Sequence, residues 1–307
     1  MLFQRYRRGL FITAFLAAPV TLYLVYVISP YIQAFYIAMT DWRGVTATPR
    51  FVGFDNFARL FADGIFWKAV RHNAALLVLL PLLTIVIALF FAFLLNVGGG
   101  NGGSGGLGGI RGSKLYRVIF FFPQVLAVAV VAVLFQQVFR PDGSGMLNGP
   151  LMALGVEPVG FLSNPDVAFW SVLGVMVWQA VGFYVVLFSA GLASIPRDMF
   201  EAAQIDGAGR GSLFFRITLP LLWDTVQVAW VYLGILALDV FAIVWVMTDQ
   251  HGGPDFSTTV MAAEIYRNAF SYFRFGYASA LGVVMFFFTV GFAIISLRLS
   301  RRERIEY

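Results

Sequence analysis

Cysteine is absent from the 307-residue chain, so neither a disulfide framework nor a Cys-ligated metal site can be built from it. Its redox compartment stays open for the same reason. Histidine is nearly absent too: His72 and His251 are the only imidazoles, and their separation in sequence argues against a His-rich metal centre. No Gly-Lys pair occurs anywhere, and a Walker-type phosphate loop needs that pair at its end, so this kind of nucleotide site is excluded. Charge is also scarce. Asp, Glu, Lys and Arg make up 12% of the residues, where soluble domains carry about 25%. What the chain does have is apolar surface: 60% of its residues are hydrophobic and its mean hydropathy is +0.81. An integral membrane protein is the class that fits. The net charge of +5 could suggest nucleic acid, but the basic residues are scattered through short segments between apolar runs, where they orient helices in a bilayer. No nucleic-acid partner is expected.

Six apolar runs can cross a bilayer core that needs about 20 helical residues: residues 10–38, 73–97, 117–139, 167–193, 220–247 and 277–299. The first follows Arg5, Arg7 and Arg8 as a secretory signal would, but stays apolar well past the roughly 7–15 residues of such a segment. It reads as an uncleaved anchor. Barrel strands alternate apolar and polar residues; these runs are continuously apolar, so the predicted fold is all-α, a polytopic protein of six transmembrane helices in a single domain over 1–307.

Lys and Arg supply the orientation. One set of segments holds Arg5, Arg7 and Arg8, then Arg111, Lys114 and Arg117, then Arg197, Arg210 and Arg216, and finally Arg298, Arg301, Arg302 and Arg304. The positive-inside rule makes this set cytoplasmic, with both termini inside. The opposite side holds Arg140, Arg267 and Arg274, but its first loop dissents with Arg43, Arg50, Arg59, Lys68 and Arg71, accompanied by Asp41, Asp55 and Asp63.

Between spans four and five lies a polar segment, 194–220, predicted to be cytoplasmic. Glu201, Ala202 and Ala203 form a triplet, Gly207 follows four residues after Ala203, and Ile217, Leu219 and Pro220 begin ten residues after Gly207. Pro196 suits the first turn of a helix. Asp198 and Glu201 are favourable to its N-terminal dipole, Gly207 to a left-handed residue that ends it. Ser212 is a reasonable N-cap for a second helix reaching Pro220. The prediction is a helix, a sharp turn and a helix, with Ala202 and Ala203 keeping one face small for close approach to a partner, and Glu201 and Asp206 offering carboxylates. An arbitrary loop would be read as an interfacial connector; the spacing over this many positions favours a docking loop.

That spacing resembles the signature loop of the inner-membrane permease subunits of bacterial ATP-binding cassette importers. Elsewhere, Phe51-Val52-Gly53-Phe54-Asp55-Asn56-Phe57 is similar to an external-loop element of their carbohydrate branch, the maltose and glycerol-phosphate type. So is the series Arg111-Gly112, Arg117, Phe122-Pro123, Pro141, Gly145 and Leu147-Asn148, and so is the later one of Thr248, Gly252-Gly253-Pro254, Ile265-Tyr266 and Gly276 to Ala280. The resemblance covers nearly the whole chain. It implies the type I importer permease fold, a bacterial inner-membrane location, and no catalysis or cofactor of the chain's own. It also implies four partners: a second permease, two ATP-binding cassette ATPase subunits and an external solute-binding protein. The solute would be a sugar: a mono- or oligosaccharide, with amino sugars included. Glu201, Ala202, Ala203, Asp206, Gly207, Ile217, Leu219 and Pro220 would couple to the ATPases, whose closure would move the hairpin and drive alternating access.

Two places depart from the pattern. Gly98 to Gly109 is a glycine-rich run that reads as flexible linker where a short basic turn is expected. Asp239 lies about a turn before the family's acidic position, which Ala242 occupies here. On physical grounds Asp239 is the prominent intramembrane charge, since Asp at the centre of a spanning helix costs about 2.5–3.5 kcal/mol. It is expected either to contact the solute, sharing its environment with Trp230, Tyr232, Trp245 and Tyr266, or to hold a structural hydrogen bond between helices. The competing class is an ion-coupled secondary transporter using Asp239; a membrane-embedded enzyme fits less well, because no nucleophile or metal cluster is visible.

Overall fold

The computed structural model describes residues 2–45, 49–97 and 112–299, so the glycine-rich linker at 98–109 lies outside the described residues. The described chain is helical, with one isolated bridge between Thr40 and Phe51. Four uninterrupted helices are long and apolar enough to cross a membrane: Phe11–Ala38, Gly64–Asn96, Pro165–Ala193 and Phe275–Arg298. Two bent pairs bring the candidate spans to six when each pair is counted as one. The first span comprises α1 (Leu2–Tyr23), a π turn (Leu24–Ile28) and α2 (Ser29–Ala38). The π turn ends two residues before Pro30, whose ring would otherwise clash with the carbonyl four residues back. A short α3 (Asp55–Ala62) leads into α4 (Gly64–Asn96), the second span.

Spans three and five are not the continuous helices predicted over 117–139 and 220–247. Span three is α5 (Ser113–Val125) and α6 (Val128–Val138), bent by 98° at Leu126 and Ala127, both extended. Pro123 near the end of α5 removes one helical N–H, which helps to end the helix there. Span five enters through short helical pieces ending in α11 (Leu219–Leu221) and bends by 70° into α12 (Trp223–Leu238). It breaks again at Asp239–Phe241 before α13 (Ala242–Met247). Periodicity and hydropathy do not register such breaks, because the residues on both sides stay apolar.

Backbone groups freed inside a bilayer need partners within the protein, and neighbouring spans supply them. Gln179 Nε2, from α8 (Pro165–Ala193), donates to the Leu126 carbonyl at 3.3 Å. Asn73, only 1% exposed on α4, donates to the Ala237 and Leu238 carbonyls at 3.0 and 3.3 Å. Its Oδ1 accepts the Met261 N–H at 2.8 Å. Gln136 caps α13 by donating to the Val246 carbonyl at 2.7 Å. These carboxamides make broken spans stable.

Contacts gather the chain into two compact units, Met1–Gly64 with Glu264–Phe287, and Ile65–Ala263 with Phe288–Tyr307. In the first, Ala38 packs with Ala280 and Val283, and Tyr31 and Phe35 meet Phe286 at 5.4 and 6.0 Å between rings. The second holds the main core, centred on α4, α8 and α12. Within it α5 lies so close to α8 that a Cβ on Gly182 would run into the Phe120 carbonyl.

Candidate functional site

The segment between spans four and five is a helical hairpin. Its first arm is α9 (Arg197–Ile205). Pro196 stands one residue before the helix, extended at ψ 133°, and is not in the first turn as predicted; a proline needs no N–H partner in either place. The arm ends in a Schellman arrangement: Gly207 takes φ +81°, its N–H bonds to the Gln204 carbonyl at 3.0 Å, and the Ala208 N–H bonds to Ala203 at 2.9 Å. The return arm starts at Arg210 (α10, Arg210–Ser212) with Gly209 before it, so Ser212 is inside the helix and does not cap it. The left-handed turn at Gly207 reverses the chain at once, which leaves no room for a later start. A π turn (Leu213–Thr218) then precedes Pro220, as the first one precedes Pro30.

The hairpin is held from inside and bare outside. Phe200 (5% exposed), Leu213 (1%) and Leu222 (2%) are buried in the main core. Ala203, Ala208, Ile217 and Leu219 pack partly against it. Glu201, Ala202, Asp206, Gly207 and Pro220 remain exposed. So do two apolar side chains that motif spacing does not flag, Ile205 at 86% and Phe215 at 67%. Glu201 and Asp206 form no ion pair among the described residues. A charged and apolar surface on a well-anchored hairpin is suited to being covered by a partner.

A cavity of about 240 Å³ in the second unit brings the breaks of spans three and five together. Gln124 and Val128 flank one break, Asp239 to Ile243 form the other, and Met176, Gln179 and Ala180 close the wall from α8. Asp239 follows the last turn of α12, its N–H bonded to the Ile235 carbonyl at 3.1 Å. It is therefore not in mid-helix, as the continuous-span reading had it, but at a break that opens onto the cavity. A carboxylate, two carboxamides and the Phe241 ring line one space, a set that can exchange hydrogen bonds with hydroxyls and present a ring to C–H groups. Phe241 stacks on Trp245 (5.5 Å, 28°), and Trp245 on His251 (4.2 Å, 7°).

Of the predicted pathway residues, Asp239 alone lines this cavity. Trp245 stands behind Phe241, Trp230 is half-buried against the core, and Tyr232 is 61% exposed. Tyr266 belongs to the first unit, at the end of α14 (Met261–Tyr266), where it meets Phe270 at 4.9 Å. Gln124 and Gln179 line the cavity without having been singled out from the sequence. Polar carboxamides inside apolar runs were the available signal.

Known proteins agree with this architecture. The family model for binding-protein-dependent transport system inner membrane components matches residues 104–305. The chain is 42% identical over 297 residues to the diacetylchitobiose uptake system permease protein of Streptomyces coelicolor, covering 96% of this chain and 83% of that one. It is 31% identical to the multiple sugar-binding transport system permease protein of Streptococcus mutans, with 95% of each covered. Among solved structures, a chain of a bacterial ABC transporter involved in the import of the acidic polysaccharide alginate superposes with a TM-score of 0.80 at 24% identity, over 98% of both. The chain belongs to the family of inner-membrane components of binding-protein-dependent transport systems, and its fold is that of ABC importer permeases. The ion-coupled alternative gains no support from these matches.

Proposed function

We propose that this chain is one permease half of a sugar importer whose solute is delivered by an external binding protein and moved by alternating access, with energy from two ATPase subunits. The carrying observation is the hairpin: exposed Glu201, Ala202, Ile205 and Asp206 stand on a turn set by Gly207 and anchored in the core by Phe200 and Leu213. A surface anchored this way can pass force from an ATPase to span five, whose helix α12 ends at the Asp239 cavity. A second permease completes the pathway, since alternating access needs two bundles around a central site. Both termini and the hairpin face the cytoplasm, and the chain itself carries out no catalysis. The relatives named for diacetylchitobiose and multiple sugars support a saccharide as solute, and the polar set around Asp239 suits one. Reconstitution with its partners in vesicles tests this directly. Uptake of labelled saccharide should require internal ATP and the binding protein, and should persist when ion gradients are collapsed; uptake that follows the ion gradient without ATP would overturn the reading.

A further inference from the structure

Two of the five cations that dissent from the positive-inside pattern, Arg43 and Arg59, share one cleft with Arg274. An open cleft of about 640 Å³ in the first unit is lined by Arg43, Arg59 and Arg274 together with Asp41, Asp63 and Tyr277. The carboxylates are already engaged. Asp41 accepts the Arg50 N–H at 2.8 Å and pairs with its guanidinium at 3.3 Å, while Asp63 accepts the Tyr277 hydroxyl at 2.7 Å. Arg43, Arg59 and Arg274 are exposed and form no ion pair among the described residues; Arg274 lies over the Tyr272 ring at 5.5 Å.

The frame that carries them is built. Asn56, 4% exposed, donates to the Ala38 and Thr40 carbonyls, each at 2.8 Å. The Gly276 N–H bonds to the Trp42 carbonyl at 3.0 Å, and a side chain on Gly276 would collide with the Thr40 carbonyl. Two stretches of the first loop and a distant segment before the last span are thereby locked together, each contributing one arginine to the same cleft.

We infer that this cleft is a docking socket for carboxylate side chains on the surface of the solute-binding protein, an inference that rests on the importer reading above. All three cations are arginine, whose planar fork takes a carboxylate in two hydrogen bonds where lysine is a point charge. Phe51 and Phe54, 62% and 72% exposed, stand in the same loop, and exposed aromatics beside arginine are the composition of protein interfaces. The predicted orientation puts the cleft outside, where the binding protein acts.

The test uses the full complex in nanodiscs, with the solute-binding protein that stimulates its ATPase as probe. In Arg43→Glu/Arg59→Glu and in Arg274→Glu, docking should weaken, with Kd rising about tenfold or more. Wild-type docking should weaken with salt more steeply than that of the variants, and ATPase activity without binding protein should stay unchanged. Arginine placed at the facing acidic position of the binding protein, found by cross-linking, should restore affinity to the glutamate variants. Folded variants that dock as tightly as wild type would overturn the socket alone. Weakening that appears only with anionic lipid in the disc would overturn it in favour of a lipid phosphate. A wild-type complex whose ATPase no solute-binding protein stimulates, and to which none docks, would overturn the importer reading and this inference together.

Discussion

Gly207 and Gly182 show two different reasons for a glycine, and they predict different failures. At Gly207 an added Cβ meets nothing within 4 Å, so the only obstacle is φ +81°. A β-branched residue there costs about 1–3 kcal/mol of local strain. Gly207→Val should therefore insert and assemble but lose ATP-driven uptake, while Gly207→Asn, which tolerates the left-handed region, should keep most of it; uptake by both variants in vesicles decides. Gly182 has the opposite problem, because a side chain would strike the Phe120 carbonyl. Gly182→Ala should lower stability by about 1–3 kcal/mol or more, read as a lower melting temperature in detergent, whereas Gly174→Ala, with open space around it, should not. Asp239 carries a prediction of its own. Asp239→Asn should raise the apparent KM for sugar uptake and leave binding-protein-stimulated ATPase activity in place, whereas an unchanged KM would remove Asp239 from the pathway. Its charge was legible in the sequence, but its position at a helix break was not, because the apolar run continues on both sides.

At the scale of elements, the hairpin separates a buried, anchoring face from an exposed one. Phe200 is buried and Ile205 on the same helix is 86% exposed, so two substitutions should come apart. Phe200→Ala removes a core side chain, a change that costs about 3–5 kcal/mol in packed interiors; it should loosen α9 and lower thermal stability. Ile205→Ser should leave stability alone and weaken co-purification of the ATPase. The triplet, the glycine and the later Ile217, Leu219 and Pro220 were readable as a motif, yet the motif does not tell which of its members point inward. Ala203, Ile217 and Leu219 turn out to support the hairpin from within. The broken spans are an element-scale property of another kind. Asn73 sits on span two and satisfies the end of α12, 164 residues away in sequence. Asn73→Leu should strand the Ala237 and Leu238 carbonyls and the Met261 N–H, at about 1–3 kcal/mol for each group left unpaired, and reduce the yield of folded protein.

For the whole molecule, the absence of cysteine is an experimental advantage. A single cysteine at Ile205 should react with an impermeant thiol reagent only from the cytoplasmic side, and one at Leu154, 79% exposed, only from outside; the reverse pattern would invert the topology. The first span has none of its apolar window buried within the chain, so its covering comes from outside the chain, from lipid or from the second permease proposed above. Composition, run length and the spread of arginine are local or additive quantities, and from them follow the membrane class, the apolar runs that become the spans and the expectation of a sided topology. Motif spacing is local as well, and it marks the hairpin. Breaks in spans three and five, the cavity they form around Asp239, and the cleft that collects Arg43, Arg59 and Arg274 depend on hydrogen bonds and packing between residues tens to hundreds of positions apart. No window along the chain contains both partners of such a contact, so only the folded molecule brings them together.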